Sequence, residues 1–123
     1  VQAEDIRRGF HLLSELDVDY AFSVASFAFP VQRAIRITPN TRVDMLYPEY
    51  ANTRSQDLEE AFHDAGQFYW GRADSWVEEK PIFSADAVPV ILPRFLVQDI
   101  DTVEDWHRAE LMYKAWQQSA VEQ

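Results

Sequence analysis

The chain has 123 residues, enough for one domain with a single core, and 47% of them are hydrophobic, as in globular proteins. The 21 acidic residues outnumber the 11 basic ones, and the net charge of −10 disfavours nucleic acid and anionic membranes as partners. The absence of cysteine excludes disulfides and thiolate zinc sites and suits a cytoplasmic protein, and no apolar run approaches the roughly 20 residues of a membrane span.

The start of the chain predicts a helix followed by a buried strand. Residues 3–16 form an amphipathic pattern in which Ile6, Phe10 and Leu13 share one stripe. Residues 20–29 (YAFSVASFAF) are apolar on both alternations, which is typical of a strand buried on both faces, as in a parallel sheet covered by helices. A helix followed by such a strand indicates the α/β class.

A β-hairpin is predicted next. Residues 33–38 and 42–46 alternate polar and apolar side chains around a turn at residues 39–41. Because a lone hairpin is marginal in water, its apolar side needs a cover from the body of the protein or from another subunit. The residues concerned are Ile35, Ile37, Val43 and Met45.

The second half of the chain alternates helices and strands as well. Residues 56–63 predict a short helix, and Asp64-Ala65-Gly66 predicts a turn. Residues 67–71 indicate a short aromatic strand, residues 73–80 a helix ended by proline, and residues 88–93 a strand with a proline towards each end. No linker or internal repeat is visible, so residues 1–123 are predicted to form a single domain.

An acidic pair stands between an apolar, strand-like run and the last predicted helix, residues 102–118. In an extended segment Asp99 and Asp101 would point to the same face, roughly 6–7 Å apart, while Ile100 would face a core. Two such carboxylates can converge on Mg²⁺, which takes one or two protein carboxylates together with phosphate oxygens.

Helix capping explains part of the same stretch equally well. Asp101 or Thr102 can serve as N-cap, with Glu104 or Asp105 three residues later completing a capping box. Asp99 is not needed for a cap, so the capping and metal interpretations are compatible. The helix that follows is expected to bury a stripe containing Val103, Trp106, Glu110 or Ala109, Tyr113 and Trp116.

Other polar residues allow weaker hypotheses. Arg54 and Gln56, in an irregular stretch, can hold the carboxylate and hydroxyls of a ligand, or Ser55 and Asp57 can simply cap a helix while Arg54 is solvated. The adjacent pair His63-Asp64 favours a surface turn over a general base. The three glycines are far apart, so no phosphate-binding loop is present in these residues.

Two ordered motifs resemble one enzyme family. Residues 52–71 (NTRSQDLEEAFHDAGQFYWG) and residues 88–106 (VPVILPRFLVQDIDTVEDW) resemble the C-terminal half of the acylneuraminate cytidylyltransferases, which activate nine-carbon acidic sugars as CMP-sugars. The resemblance implies a Rossmann-like α/β nucleotidyltransferase fold of the nucleotide-diphospho-sugar transferase type. It also implies a homodimer and Mg²⁺, and it places the dimerisation insertion of the family on about residues 29–48, where the hairpin lies.

The same resemblance implies a reaction and its residues. CMP passes from CTP to a nonulosonic acid and pyrophosphate is released, for cell-surface or flagellar glycan synthesis. The family's DID motif falls on Asp99-Ile100-Asp101, so Asp99 and Asp101 are the implied catalytic and metal-binding residues. The implied substrate-binding residues are Arg54, Gln56, Asp64, Gly66 and Gln67.

Departures from the family pattern refine the expected substrate. Ser55 stands where sialic acid enzymes have a second arginine, and Ala65 stands where they have asparagine before glycine. These departures favour pseudaminic acid over N-acetylneuraminic acid or another keto-deoxy sugar acid.

The family's N-terminal strand and phosphate loop are not found among these residues. The chain is therefore expected to be a C-terminal portion that is inactive alone and exposes an edge of its sheet. The alternative function is a non-catalytic module for dimerisation and sugar contact.

Overall fold

The computed structural model describes residues 1–121 and contains both helices and strands. This mixed architecture agrees with the predicted α/β class. The helices are α1 (Ala3–Glu15), α2 (Ala73–Val77) and α3 (Val103–Val121), and the strands are β1 (Tyr20–Ser26), β2 (Ile35–Ile37), β3 (Val43–Met45), β4 (Phe62–Gly71) and β5 (Ala87–Ile91).

The chain folds into two compact units. The first combines Val1–Ala25 with the chain from Asp64 onward, and it contains the three helices and most of a three-stranded sheet. The second is Ser26–His63, which contains the hairpin formed by β2 and β3.

Strand β1 is the centre of the three-stranded sheet, whose order is β4-β1-β5. Every residue from Tyr20 to Ala25 is buried, which confirms the predicted doubly buried strand. Strand β5 runs parallel to β1, with Tyr20 opposite Ala87. Strand β4 runs antiparallel, because the Arg72 N–H donates to the Asp19 carbonyl and the Phe27 N–H to the Ala61 carbonyl, each at 3.0 Å. The sheet is therefore mixed rather than purely parallel.

Polar groups at the start of β1 fasten α2 to the sheet. The buried Tyr20 hydroxyl lies 3.0 Å from the Ser75 carbonyl oxygen and 2.9 Å from that of Lys80. Asp19 Oδ1 accepts from the Ser75 hydroxyl at 2.6 Å and from Lys80 Nζ at 3.1 Å. The hydrogen bond from Ser75, followed by that from Lys80, holds the pKa of Asp19 below its usual range.

Strand β5 forms one edge of the sheet. Its proline, Pro89, lies in the middle of the strand opposite Phe22 and not at a strand end as expected. The backbones of Asp86 and Leu92 form hydrogen bonds with β1. Because successive residues of a strand direct their backbone groups to opposite sides, Pro89 and Ile91 direct theirs away from β1. The Ile91 carbonyl accepts from the Arg8 guanidinium at 2.8 Å, which ties α1 to this edge.

Helix α1 packs on β4 through a close contact at Gly9. Glu4 and Asp5 in its first turn suit the helix dipole, and its inward face is formed by Ile6, Gly9 and Leu13. The Trp70 indole N–H donates to the Ile6 carbonyl at 2.9 Å. The predicted stripe is correct at Ile6 and Leu13, whereas Phe10 is 49% exposed, although its ring packs at a tilt on Trp70 with a centroid distance of 5.3 Å.

The second unit contains the predicted hairpin but lacks the predicted helix over residues 56–63. Only Ser55–Asp57 forms a 3₁₀ turn, and Phe62 already belongs to β4. The helical propensity of this stretch is overridden because the backbone around Ala61 pairs with that of Phe27.

Helix α3 buries the predicted stripe at Ala109 and Trp116 but not at its other positions. Val103, Trp106 and Tyr113 are 73%, 55% and 55% exposed. The less exposed positions recur every three or four residues, at Asp105, Ala109, Met112 and Trp116. Among the described residues, no helix is long and apolar enough to cross a membrane.

Gly9 provides a test of this packing. Alanine normally stabilises a helix interior by about 1 kcal/mol relative to glycine. A Cβ on Gly9 would lie 2.8 Å from Trp70 Cδ1 and 2.9 Å from Phe68 Cε2, so we expect Gly9→Ala to lower the free energy of unfolding by about 1–3 kcal/mol. Urea unfolding measures the change, with the exposed Ser14→Ala on the same helix as control. A stabilised Gly9→Ala variant would contradict the close packing of α1 on β4.

Candidate functional site

The predicted acidic pair lies on the segment that joins β5 to α3. The predicted strand-like run before it is wrong, because β5 ends at Ile91 and a 3₁₀ turn follows at Arg94–Leu96. The Pro93 carbonyl accepts from the Leu96 N–H at 2.9 Å, which closes this turn and prevents the chain from continuing as a strand. Residues 97–100 have no regular secondary structure.

Asp99 and Asp101 are both exposed. Neither carboxylate makes a hydrogen bond or an ion pair with any residue in the described part of the chain. The expectation that Ile100 faces a core is wrong, because Ile100 is 47% exposed on a segment that no sheet covers. The two carboxylates are therefore free to bind a ligand.

The acidic pair supplies at most two protein ligands to a metal ion. Within residues 1–121 no group of three or more His, Cys, Asp or Glu side chains could hold a metal. Hard carboxylate oxygens suit Mg²⁺, and this ion commonly keeps water and substrate oxygens in its remaining positions. The donor set thus fits Mg²⁺ better than zinc, whose protein sites usually supply three or four ligands.

A capping box immediately after the pair confirms the second interpretation of this stretch. Asp105 Oδ2 accepts from the Thr102 N–H at 2.9 Å and from the Thr102 hydroxyl at 2.6 Å, while the Asp105 N–H donates to Thr102 Oγ1 at 3.2 Å. The hydrogen bond from the Thr102 hydroxyl, followed by that from the Thr102 N–H, lowers the pKa of Asp105 below its usual range. Because Thr102 is the cap, the side chain of Asp101 has no capping role.

The predicted turn at Asp64-Ala65-Gly66 is a bulge inside a continuous β4. Gly66 has φ +64°, a conformation that glycine adopts without penalty. The buried Ser23 Oγ accepts from two consecutive β4 amides, those of Gln67 at 3.2 Å and Phe68 at 3.3 Å. Nothing lies within 4 Å of a Cβ built on Gly66, so the backbone there is open to a ligand.

Gln67 connects the bulge to the segment that carries the acidic pair. Its side-chain Nε2 donates to the Leu96 carbonyl at 2.8 Å, three residues before Asp99. The structure therefore brings the β4 group of predicted residues next to the segment that leads to Asp99 and Asp101.

Asp64 is engaged by a neighbouring tyrosine. Its Oδ2 accepts from the Tyr69 hydroxyl at 2.7 Å. Burial, followed by this hydrogen bond, raises the pKa of Tyr69 to about 12, so the hydroxyl remains protonated across the physiological range. The Tyr69 ring stacks on Phe22 with a centroid distance of 5.4 Å, which fixes the direction of the hydroxyl.

A cavity of about 270 Å³ lies within the first unit, beside the segment that precedes Asp99. The sequence motif identifies Asp99 and Asp101. No sequence motif indicates this cavity, because its walls come from distant elements. The lining residues include Gln67, Phe95, Gln98, Ala109, Met112 and Trp116.

Arg54 and Gln56 lie in the second unit, around the 3₁₀ turn Ser55–Asp57. Arg54 Nε donates to Asp57 Oδ2 at 2.8 Å, so the arginine is ion-paired within its own turn. The exposed Gln56 side chain has no hydrogen-bond partner among residues 1–121.

Comparison with curated proteins confirms the resemblance to nucleotidyltransferases of the cytidylyltransferase type. The chain is 42% identical over 101 residues, 82% of its length, to the pseudaminic acid cytidylyltransferases of two Campylobacter jejuni strains, NCTC 11168 and 81-176. It is 34% identical over 101 residues to a Helicobacter pylori protein named as both pseudaminic acid cytidylyltransferase and UDP-2,4-diacetamido-2,4,6-trideoxy-beta-L-altropyranose hydrolase.

These relatives are longer than the chain. The match spans 44% of each Campylobacter protein and 19% of the Helicobacter protein. No protein-family model matches the chain. The chain is thus homologous to part of the pseudaminic acid cytidylyltransferases.

The capping box and the acidic pair are separable by mutation. Thr102→Ala removes the cap of α3 and should lower the free energy of unfolding by about 1 kcal/mol. Asp101→Asn should change it by no more than about 0.5 kcal/mol, because its carboxylate makes no contact to lose. Chemical unfolding followed by circular dichroism measures both. A loss for Asp101→Asn as large as that for Thr102→Ala would show that Asp101 has a structural role.

Proposed function

We propose that this protein is a cytidylyltransferase that transfers CMP from CTP to pseudaminic acid and releases pyrophosphate. The observation that carries the proposal is the 42% identity over 101 residues to proteins of that name. Because the chain spans less than half the length of these relatives, the activity is proposed for the natural polypeptide in which these residues occur. The parallel pairing of β1 with β5 supports the Rossmann-like nucleotidyltransferase fold proposed with it.

Asp99 and Asp101 are the proposed Mg²⁺ ligands. Both are exposed, neither is paired, and Thr102 relieves Asp101 of a capping role. Mg²⁺ bound there would neutralise charge on the phosphoryl oxygens of CTP. Gln67 anchors the segment before the pair to β4 through the Leu96 carbonyl. Asp99 and Asp101 would therefore hold the ion next to an anchored segment and not on a free loop.

The proposed reaction is a displacement at phosphorus. The anomeric hydroxyl of the sugar acid attacks the α-phosphorus of CTP, forms the new oxygen–phosphorus bond and releases its proton. The bond between the α-phosphorus and the bridging oxygen of the leaving group breaks, and pyrophosphate departs. Such transfers depend mainly on positioning and charge stabilisation, which is the work proposed for the acidic pair.

The remaining predicted residues are proposed to bind the sugar acid. Arg54 uses Nε for Asp57, and its other N–H groups suit the sugar carboxylate, with the Gln56 amide beside it for a hydroxyl. Asp64 is an acceptor for a sugar hydroxyl, and the open space at Gly66 lets a ligand approach the backbone. Gln67 is proposed to contact the sugar through the oxygen of its amide.

Two acetamido groups are expected on the substrate. The Helicobacter relative is also named as a hydrolase of a 2,4-diacetamido sugar, and we propose that the sugar acid is built from such a sugar and keeps both groups. Pseudaminic acid fits this description.

Metal dependence and the acidic pair are tested together. We expect Asp99→Asn and Asp101→Asn each to lower kcat/KM at least about 100-fold, because each removes a metal ligand. Pyrophosphate release from CTP and pseudaminic acid, titrated with Mg²⁺ after chelation, measures the effect. Glu104→Gln is the matched control, since this exposed carboxylate on the first turn of α3 has no partner among the described residues. Full activity of both Asp variants would remove the proposed metal role, and no pyrophosphate release with any nonulosonic acid would refute the cytidylyltransferase itself.

The hairpin favours a second, non-catalytic role in self-association. Its strands pair antiparallel, with Ile35 opposite Met45 and Ile37 opposite Val43, so the four apolar side chains share one face. Ile35, Ile37 and Val43 are 53%, 74% and 71% exposed. An apolar face of this kind is typical of a protein–protein contact, and a homodimer through it agrees with the proposed family role.

The dimer proposal is tested by charge placement on the hairpin. Ile37→Lys should shift the protein from dimer to monomer, because a buried unpaired charge opposes association across this face. Sedimentation velocity over a concentration series measures the shift. Asn40→Lys, which places the same charge at the exposed turn, is the control. A wild-type protein that remains monomeric at high concentration would refute the interface.

A further inference from the structure

The cavity beside the acidic pair has walls suited to a neutral ligand group. No Lys, Arg or His side chain lines it within the described residues. Its one charged side chain, Asp5, is paired with Arg8 at 3.2 Å. A phosphate or carboxylate would therefore find no cationic side chain there, whereas an uncharged polar group needs none.

Three carboxamides line the cavity, those of Gln2, Gln67 and Gln98, and Gln67 and Gln98 are the two nearest to the acidic pair along the structure. Gln98 lines the cavity, and its amide makes no hydrogen bond with any other described residue. Gln67 donates one of its two amide N–H groups to the Leu96 carbonyl, which fixes the position of its amide oxygen as an acceptor. Together the two side chains offer a donor and acceptors, and another amide requires this combination.

Most of the remaining wall is apolar and adaptable. Phe95 lies on the 3₁₀ turn before the acidic pair, and Met112 and Trp116 lie one turn apart on the inward face of α3. A small apolar group gains about 25 cal/mol per Å² when it leaves water for such a surface. A ligand with an amide next to a methyl group would satisfy both parts of this wall.

We propose that this cavity binds an acetamido group of the sugar acid, with Gln98 and Gln67 hydrogen-bonded to its amide and the apolar wall around its methyl group. The proposal rests on the proposed function and adds a specificity site to it. Gln98 directly precedes Asp99, so their Cα atoms are about 3.8 Å apart, and a sugar held at the acidic pair lies within reach of the cavity.

Steady-state kinetics of the natural polypeptide with CTP and pseudaminic acid tests the site. Gln98→Leu keeps the side-chain size but removes both hydrogen-bonding groups. We expect it to raise KM for the sugar about tenfold or more while KM for CTP stays within about twofold. Gln118→Leu, the same change on the exposed side of α3 and outside the cavity, is the matched control and should leave both constants unchanged.

A second variant fills the cavity instead of altering its polarity. Ala109 lies on the inward face of α3 and lines the cavity, so Ala109→Leu occupies part of its volume in a residue that favours helix. It should raise KM for the diacetamido sugar as Gln98→Leu does. For an analogue with free amines in place of the acetamido groups, both variants should resemble wild type, because the lost contacts are those to the acetyl group.

The outcomes separate this proposal from the function on which it rests. Wild-type turnover combined with an unchanged sugar KM in Gln98→Leu and Ala109→Leu would overturn the acetamido site and leave the cytidylyltransferase standing. A rise in KM for CTP alone would also overturn it, by assigning the cavity to the nucleotide. Saturation-transfer NMR with pseudaminic acid tests binding without turnover. Strong transfer to an acetyl methyl group in wild type, lost in Gln98→Leu, supports the site, and its absence in wild type overturns it.

Discussion

The structure depends on a central strand that carries two buried hydroxyl groups. Tyr20 is 1% exposed and Ser23 is 0% exposed, and a buried polar group left without a partner costs about 1–3 kcal/mol. Tyr20 meets this requirement through carbonyls at α2 and just beyond it, and Ser23 through two consecutive amides of β4. The position of α2 and the bulge of β4 thus follow from hydroxyls on one strand.

The support of the candidate site continues from that bulge. With the backbone displaced at Gly66, the amide of Gln67 reaches the Leu96 carbonyl, and Leu96 leads within three residues to Asp99. A hydrogen bond from the sheet therefore anchors the chain just before the exposed acidic pair, whose carboxylates make no contacts with other described residues. An anchored segment followed by two unpaired carboxylates suits a site in which substrate and solvent complete the coordination of an ion.

Local patterns were sufficient wherever the determining partners are close in sequence. The continuous apolar run of β1 and the capping box at Thr102 were predictable, because burial and capping are encoded within a few residues. The β4 bulge was not predictable, because the Ser23 hydroxyl that binds its amides lies 44 residues before Gln67 and no local pattern indicates the contact. On α3 the aromatic spacing is correct at Trp116 and wrong at Trp106 and Tyr113, which are exposed. Likewise the cavity forms only when α3 packs beside the 3₁₀ turn.

Strand β5 shows how an open sheet edge is protected against unwanted strand addition. A strand docking on its outer side would need alternating donors and acceptors along the ladder. Pro89 removes the donor from the middle of that row, and Arg8 already occupies the Ile91 carbonyl at its end. An incoming strand would find an interrupted template, so this edge resists the β-stacking that leads to aggregation. The backbone chemistry of β5 thus opposes edge-to-edge association independently of the acidic surface.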